Sequence, residues 1–258
     1  MITKKFHQYI VVVRGAKNSL ISDFLKKNVY AVENEIIDKF FKGEYSEIEN
    51  FLGACEQEEM LISVDDVTWV PPLQLNMDNL DREIDPILEI EEGADLQIIK
   101  KKLSEYRFQG IFYFGDNKPK EILPYIPHYY MEKNFQECEK NIEITELLEA
   151  IEEHRYIFNR NFNPCWGKKI AVTKDMKIRP CIYSELLVGD LLHGNMEEIF
   201  ESIKEYWLIT KDKIETCKDC ERRYNCFDCR EISRKSNGNL YAKHHACKYN
   251  PYTGCWSE

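Results

Sequence analysis

Thirteen residues, Cys217 to Cys229, carry four cysteines in the order C-x2-C-x5-C-x2-C. No other feature narrows the possible folds as much, since thiols this close together belong to tight turns around something that holds the sulfurs. The other cysteines are skewed the same way: only Cys55 and Cys138 fall in the first 160 residues, while Cys165, Cys181, Cys247 and Cys255 join the run in the last 94. Disulfides are not expected. The apolar run Tyr9 to Val13 is too short for a signal-peptide core and is followed at once by Arg14, and no stretch approaches the ~18 to 20 apolar residues of a membrane span. A cytoplasmic chain without membrane partners is therefore expected, with its thiols reduced and available for metal or for chemistry.

The C-x2-C pairs suit any tetrahedral thiolate metal, but only five residues separate them, against a dozen or more in zinc ribbons. Adjacent tight turns favour an iron–sulfur cluster, which accepts thiolates from a compact loop and takes a last one from a distance, here Cys247. Zinc and ordinary thiols stay open on spacing alone.

Composition sets the frame. The chain has 258 residues, 43% of them apolar, and a net charge of −10. That is the profile of a folded protein with one large domain or two to three small ones. The negative charge weighs against a nucleic-acid partner, because phosphate-backbone binders gather Lys and Arg. Phosphate-loop, dinucleotide-turn, zinc-peptidase and nucleophile-elbow motifs all lack their starting residues.

The predicted fold is mixed, α+β or α/β. Residues 1–82 read as a small α/β module, winged-helix-like, with a buried strand at residues 8–14, a helix-like stretch Ser19 to Lys27, a strand Val29 to Val32 and a helix Asn34 to Phe41. Ser46 and Glu49 have capping-box spacing for a helix through Leu52, and strands follow at Met60 to Val64 and Val67 to Val70. Residues 83–160 read as β-α units: strand Ile87 to Ile90, helix Leu96 to Tyr106, strand Gly110 to Phe114 and helix Thr145 to Tyr156. The Asn-rich segment Asn159 to Asn163 marks a loop and a boundary. Residues 161–258 begin with a hairpin, Lys169 to Val172 and Lys177 to Pro180, that brings Cys165 and Cys181 near each other. A helix Asn195 to Tyr206, capped by Asn195, then leads to the cysteine-rich loops.

The series Cys165-x15-Cys181, Cys217-x2-Cys220-x5-Cys226-x2-Cys229, Cys247, with Lys177-Ile-Arg-Pro-Cys181 and Gly194-Asn195, resembles the SPASM domain, the seven-cysteine extension of radical S-adenosylmethionine peptide-modifying enzymes. The likeness covers residues 165–252. Within that class, Trp207 to Ile214, Asp228-Cys-Arg230 and Tyr249 to Thr253 look like the proteins encoded beside ATP-grasp peptide ligases, the grasp-with-spasm maturation systems of ribosomally made peptides (RiPPs). Val13 to Leu20 is similar to that group as well.

The resemblance implies one or two [4Fe–4S] clusters. Cys217, Cys220, Cys226 and Cys247 would complete one; Cys165, Cys181 and Cys229 would hold the other, whose usual fourth cysteine has no counterpart in residues 159–164. It also implies a precursor-peptide partner and an ATP-grasp ligase partner. Met176 stands where the family's hairpin usually has Gly. The C-x3-C-x2-C loop needed to cleave S-adenosylmethionine is not in residues 1–160, so no self-contained radical activity is expected, and residues 83–160 would be a degenerate remnant of the radical barrel. An adaptor with structural zinc or iron–sulfur, and a redox enzyme working at an open iron of the incomplete cluster, are the other functions this pattern allows.

Remaining residues read more simply. Cys55 is expected buried among apolar neighbours and Cys255 free; His244, His245 and His193 are expected in loops, and Arg222 and Arg223 as solvated or cluster-tuning charges.

Overall fold

A computed structural model describes residues 3–64, 84–117, 119, 122–123, 125–131 and 152–257. Cys138, the expected strand Val67 to Val70 and residues 145–151 of the expected helix Thr145 to Tyr156 lie outside these.

The first part is built on a three-stranded antiparallel meander, β2 (Ile10–Arg14), β3 (Asn18–Asp23) and β4 (Asn28–Glu33), beside a pair made by β1 (Thr3–Phe6) and β5 (Leu61–Val64). Helices α1 (Asn34–Lys42) and α2 (Glu49–Gln57) cover the sheet. Ile10, Ile21, Ile37, Phe40, Leu52 and Cys55 make its core, so Cys55 is an apolar packing residue as expected. The expected helix at Ser19 to Lys27 is instead β3 and the turn after it. Six residues with apolar Leu20 and Ile21 satisfy either period, and pairing on both edges, to β2 and to β4, decides for a strand. No capping box forms either. Ser46 sits in a 3-10 turn, and α2 starts after Ile48, whose side chain is buried in the core and which has no side-chain cap.

The second sheet has six strands in the order β11-β10-β9-β6-β7-β8, with β11 the short edge strand Gly189–Asp190. β6 (Ile87–Glu91), β7 (Gly110–Phe114) and β8 (His128–Met131) are parallel, and α3 (Leu96–Leu103) crosses from β6 to β7. Asp95 starts α3 by accepting the N–H groups of Gln97 and Ile98 at 2.9 and 3.2 Å. The hairpin β9 (Lys169–Val172) and β10 (Lys177–Arg179) then joins the same sheet, β9 lying parallel to β6. The sheet thus runs across residue 160, and one core takes Leu88, Ile90 and Ile111 from before it and Ile170, Val172 and Ile178 from after it. Helix α5 (Met196–Trp207), capped by Asn195 onto the Glu197 N–H at 2.9 Å, closes this core with Ile199, Ile203 and Trp207. Each such side chain contributes about 1.5–3 kcal/mol by leaving water.

Helix α4 (Glu153–Asn161) takes in the first three residues of the segment expected as an Asn-rich loop. Asn159 and Asn163 are buried and used as hydrogen-bonding groups, so their polarity marks internal ties and not a surface loop. The turn of the hairpin gives Met176 a φ of +60°, a left-handed conformation that suits the glycine expected there, while its side chain is buried in the core. Helix α6 (Arg230–Asn237) and a short pair, β12 (Tyr249–Asn250) with β13 (Cys255–Trp256), follow the cysteine run.

Candidate metal centre

The loop before β9 and the end of β10 carry Cys165 and Cys181, and the antiparallel return of the hairpin places both at the same end of the sheet. Asn163 fixes the first of them. Its Oδ1 accepts the N–H groups of Cys165 and Trp166 at 2.9 and 2.7 Å, while its Nδ2 donates to the Ile209 carbonyl at 3.0 Å and to Asp228 Oδ2 at 3.2 Å. Asp228 lies between Cys226 and Cys229, so one buried side chain ties the hairpin to the second C-x2-C pair. Cys165 and Cys229 share a hydrogen bond, and the charge of Cys165 acts on the Cys181 thiol.

The first C-x2-C pair starts at a strained residue. Thr216 has φ +66° and ψ −42°, unusual for a β-branched side chain, and it turns the chain into the 3-10 segment Cys217–Asp219. Cys217, Cys220, Cys226 and Cys247 all line one pocket. Lys211, Thr216, Phe227, His244 and Tyr249 complete much of its wall. Cys165, Cys181 and Cys229 are not among its lining residues; they pack next to it around Trp166 and Ile232. The seven thiols therefore fall into two neighbouring groups, four and three. No three Cys, His, Asp or Glu side chains among the described residues are gathered tightly enough to chelate a single metal ion.

Burial dominates the electrostatics. It pushes the thiols of Cys220 and Cys226 up to about 12 and about 11, raises Cys217, and takes Cys181 to about 12. Cys165 rises through its hydrogen bond with Cys229 and then through burial. Beneath the pocket lies a buried charge group: Asp228 with Lys211 Nζ at 3.4 Å and the Arg230 guanidinium in contact. Burial raises the Asp228 carboxyl, and the two cations outweigh it, leaving the group below its ordinary value. Arg230 Nη1 donates to the carbonyls of Leu240 and Ala242 at 2.9 and 2.8 Å, which anchors the segment leading to His244 and Cys247.

The meander docks against this loop. Ala16 donates its N–H to the Asp219 carbonyl at 2.7 Å, and Arg223 donates to the carbonyls of Arg14 and Cys220, both at 2.9 Å. A Cβ on Gly15 would stand 2.6 Å from the Glu221 nitrogen, so this approach needs glycine. No family model, curated protein or solved structure matches the chain.

Two buried donors test which group the pocket suits. His244 Nε2 and Trp166 Nε1 have no hydrogen-bond partner among the described residues. His244 Nδ1 accepts the Ala246 N–H at 3.2 Å, so in the neutral ring Nε2 carries the proton. The ring is held neutral, since burial takes it down to about 4. His244 lines the four-thiol pocket, and Trp166 packs with Cys165, Cys181 and Cys217. Donors in need of acceptors beside buried thiols fit a sulfur-rich, anionic group, whose sulfurs accept N–H bonds. A polynuclear cluster also tolerates thiols that do not converge on one point, because each iron takes its own protein ligand.

Sequence reasoning placed His244 in a surface loop; it is 4% exposed. Arg223 is a structural tie, while Arg222 lies over the Tyr249 ring at 5.4 Å. His193 stays exposed beside Asp190, His245 stacks on His244 at 4.9 Å, and Cys255 is exposed on β13. Asn163 and Lys211 went unread as site residues, because a single charged or amide residue carries no spacing signal; Asp228 and Arg230 were read only as part of the family-like Asp228-Cys-Arg230.

Proposed function

We propose that the chain is a SPASM-type iron–sulfur protein of a peptide-maturation system of the grasp-with-spasm kind. It works beside an ATP-grasp ligase on a ribosomally made precursor, binding the peptide, carrying electrons, or both. The observation that carries this reading is the order and spacing of the seven cysteines, supported by their division into a pocket of four and a neighbouring group of three.

Cys217, Cys220, Cys226 and Cys247 would hold one [4Fe–4S] cluster, and Cys165, Cys181 and Cys229 a second. When bound, such clusters supply one-electron transfer. The protein's own part is to keep water from the thiolates by burial, to place Lys211 and Arg230 as fixed positive charge beside them, and to offer the His244 and Trp166 donors. The strands β2 and β4, edges of the meander among the described residues, are where an extended peptide would add by backbone pairing. No helix among the described residues is long and apolar enough to cross a membrane.

The test is anaerobic purification of the full chain with iron, sulfide and zinc quantified on one sample, together with absorption near ~400 nm. About eight irons support two clusters, and about four a single one. Zinc without iron turns the reading to a structural adaptor. Formation of 5′-deoxyadenosine by the reduced protein would contradict the absence of self-contained radical chemistry.

A further inference from the structure

Glu89 is a buried carboxylate on β6, in the interior of the six-stranded sheet. Leu88 and Ile90 enter the main core, so strand alternation turns Glu89 to the opposite face, where Ala171, its register partner on β9, and Ile182 pack. It is 5% exposed. Its Oε1 lies 3.0 Å from Lys169 Nζ, and its Oε2 accepts the Ile182 N–H at 2.7 Å. Lys169 follows Cys165 by four residues and Ile182 follows Cys181 directly, so both partners of the carboxylate are rooted beside thiols of the three-cysteine group.

The negative charge of Glu89 acts on the Cys165 and Cys181 thiols and disfavours their ionisation. While the thiols are protonated, Glu89 and Lys169 neutralise each other; when a metal ionises the three thiols, the carboxylate anchored beside Cys181 is the oxygen donor at hand. Lys169 and Ile182 use two of the roughly four lone-pair positions of the carboxylate, which leaves it able to bind a metal. Carboxylates ligate iron alongside softer ligands.

We infer that the Glu89 carboxylate is the fourth protein ligand of a cluster held by Cys165, Cys181 and Cys229, in the place where a cysteine is missing. This rests on the cluster reading of those three thiols. Lys169 then offsets one charge of a shell made of three thiolates and a carboxylate, and the second cluster has no open iron.

Full-length wild type, Glu89→Ala and Glu89→Cys are purified anaerobically, iron and sulfide are counted, and electron paramagnetic resonance spectra of the reduced proteins are recorded with and without added cyanide. Expected is about eight irons in the wild type and spectra that cyanide leaves unchanged. Glu89→Ala should either fall to about four irons or gain a cyanide-dependent spectrum, while Glu89→Cys restores about eight irons with an altered signal for one cluster only. A wild type that responds to cyanide as Glu89→Ala does, or one that holds only about four irons, overturns the assignment, as does a Glu89→Cys spectrum identical to wild type. Should Glu89→Ala fail to fold, the Glu89→Cys arm decides alone. Wild type without iron overturns the cluster reading itself, and this inference with it.

Discussion

Replacing Asp228 by Asn removes the only negative charge of a buried group while preserving its shape. The carboxylate is fully buried, Lys211 has 3% of its side chain exposed and Arg230 none. At 3.4 Å and an effective dielectric of ~20 the Lys211 attraction alone is roughly 5 kcal/mol. Desolvation offsets much of it, so the pair contributes little net stability when intact. Broken, it leaves two buried cations uncompensated, at about 3–5 kcal/mol. Against a total stability of about 5–15 kcal/mol that is a large fraction, equivalent to a drop in Tm on the order of 10 °C for a chain of this size. Urea unfolding of the metal-free chain at neutral pH measures it. The double variant Asp228→Asn with Lys211→Met should recover part of the loss. A loss below about 1 kcal/mol for Asp228→Asn refutes the buried-ion argument. Because the folded carboxyl titrates below its unfolded value of about 3.9, its contribution is present above that pH and fades as pH falls through the folded value. The acid limb of Asp228→Asn should therefore be flatter than that of wild type.

Three further outcomes can be checked. On the proposed cluster reading, His244→Phe should keep the iron content of the wild type but lower the reduction potential of one cluster, because about 1 kcal/mol of hydrogen-bond preference for the reduced state amounts to roughly 40 mV for one electron; an unchanged potential sinks the donor role of Nε2. In metal-free protein, iodoacetamide should label exposed Cys255 well before buried Cys181 and half-buried Cys220 and Cys226, whose thiols stay protonated at neutral pH, and peptide mapping with equal labelling of all four speaks against it. Met176→Gly relieves about 1 kcal/mol of left-handed strain but gives up a core side chain worth about 2–5 kcal/mol, so urea unfolding should show net destabilisation, and a gain in stability contradicts that balance.

What the chain could be read for, residue by residue, was whatever depends on local spacing. Cysteine intervals are what suggest metal-type turns, because a chelating turn has a fixed length, and the hairpin at Lys174-Asp175 and the Asn195 cap are equally short-range devices. The helix expected at Ser19 to Lys27 failed because six residues fit two periods and only strand partners on both sides choose between them. Tertiary structure alone decided the rest. It set β9 beside β6 across 82 positions, by the register of Leu88 with Ile170 and its neighbours, and so carried the sheet past the Asn-rich segment that looks like a boundary. It also brought Glu89 to the amide after Cys181, and Asn163 to Asp228, over separations of 93 and 65 residues. A buried carboxylate or amide acquires its role from what is packed around it, and packing between distant segments leaves no period or spacing in the sequence to read.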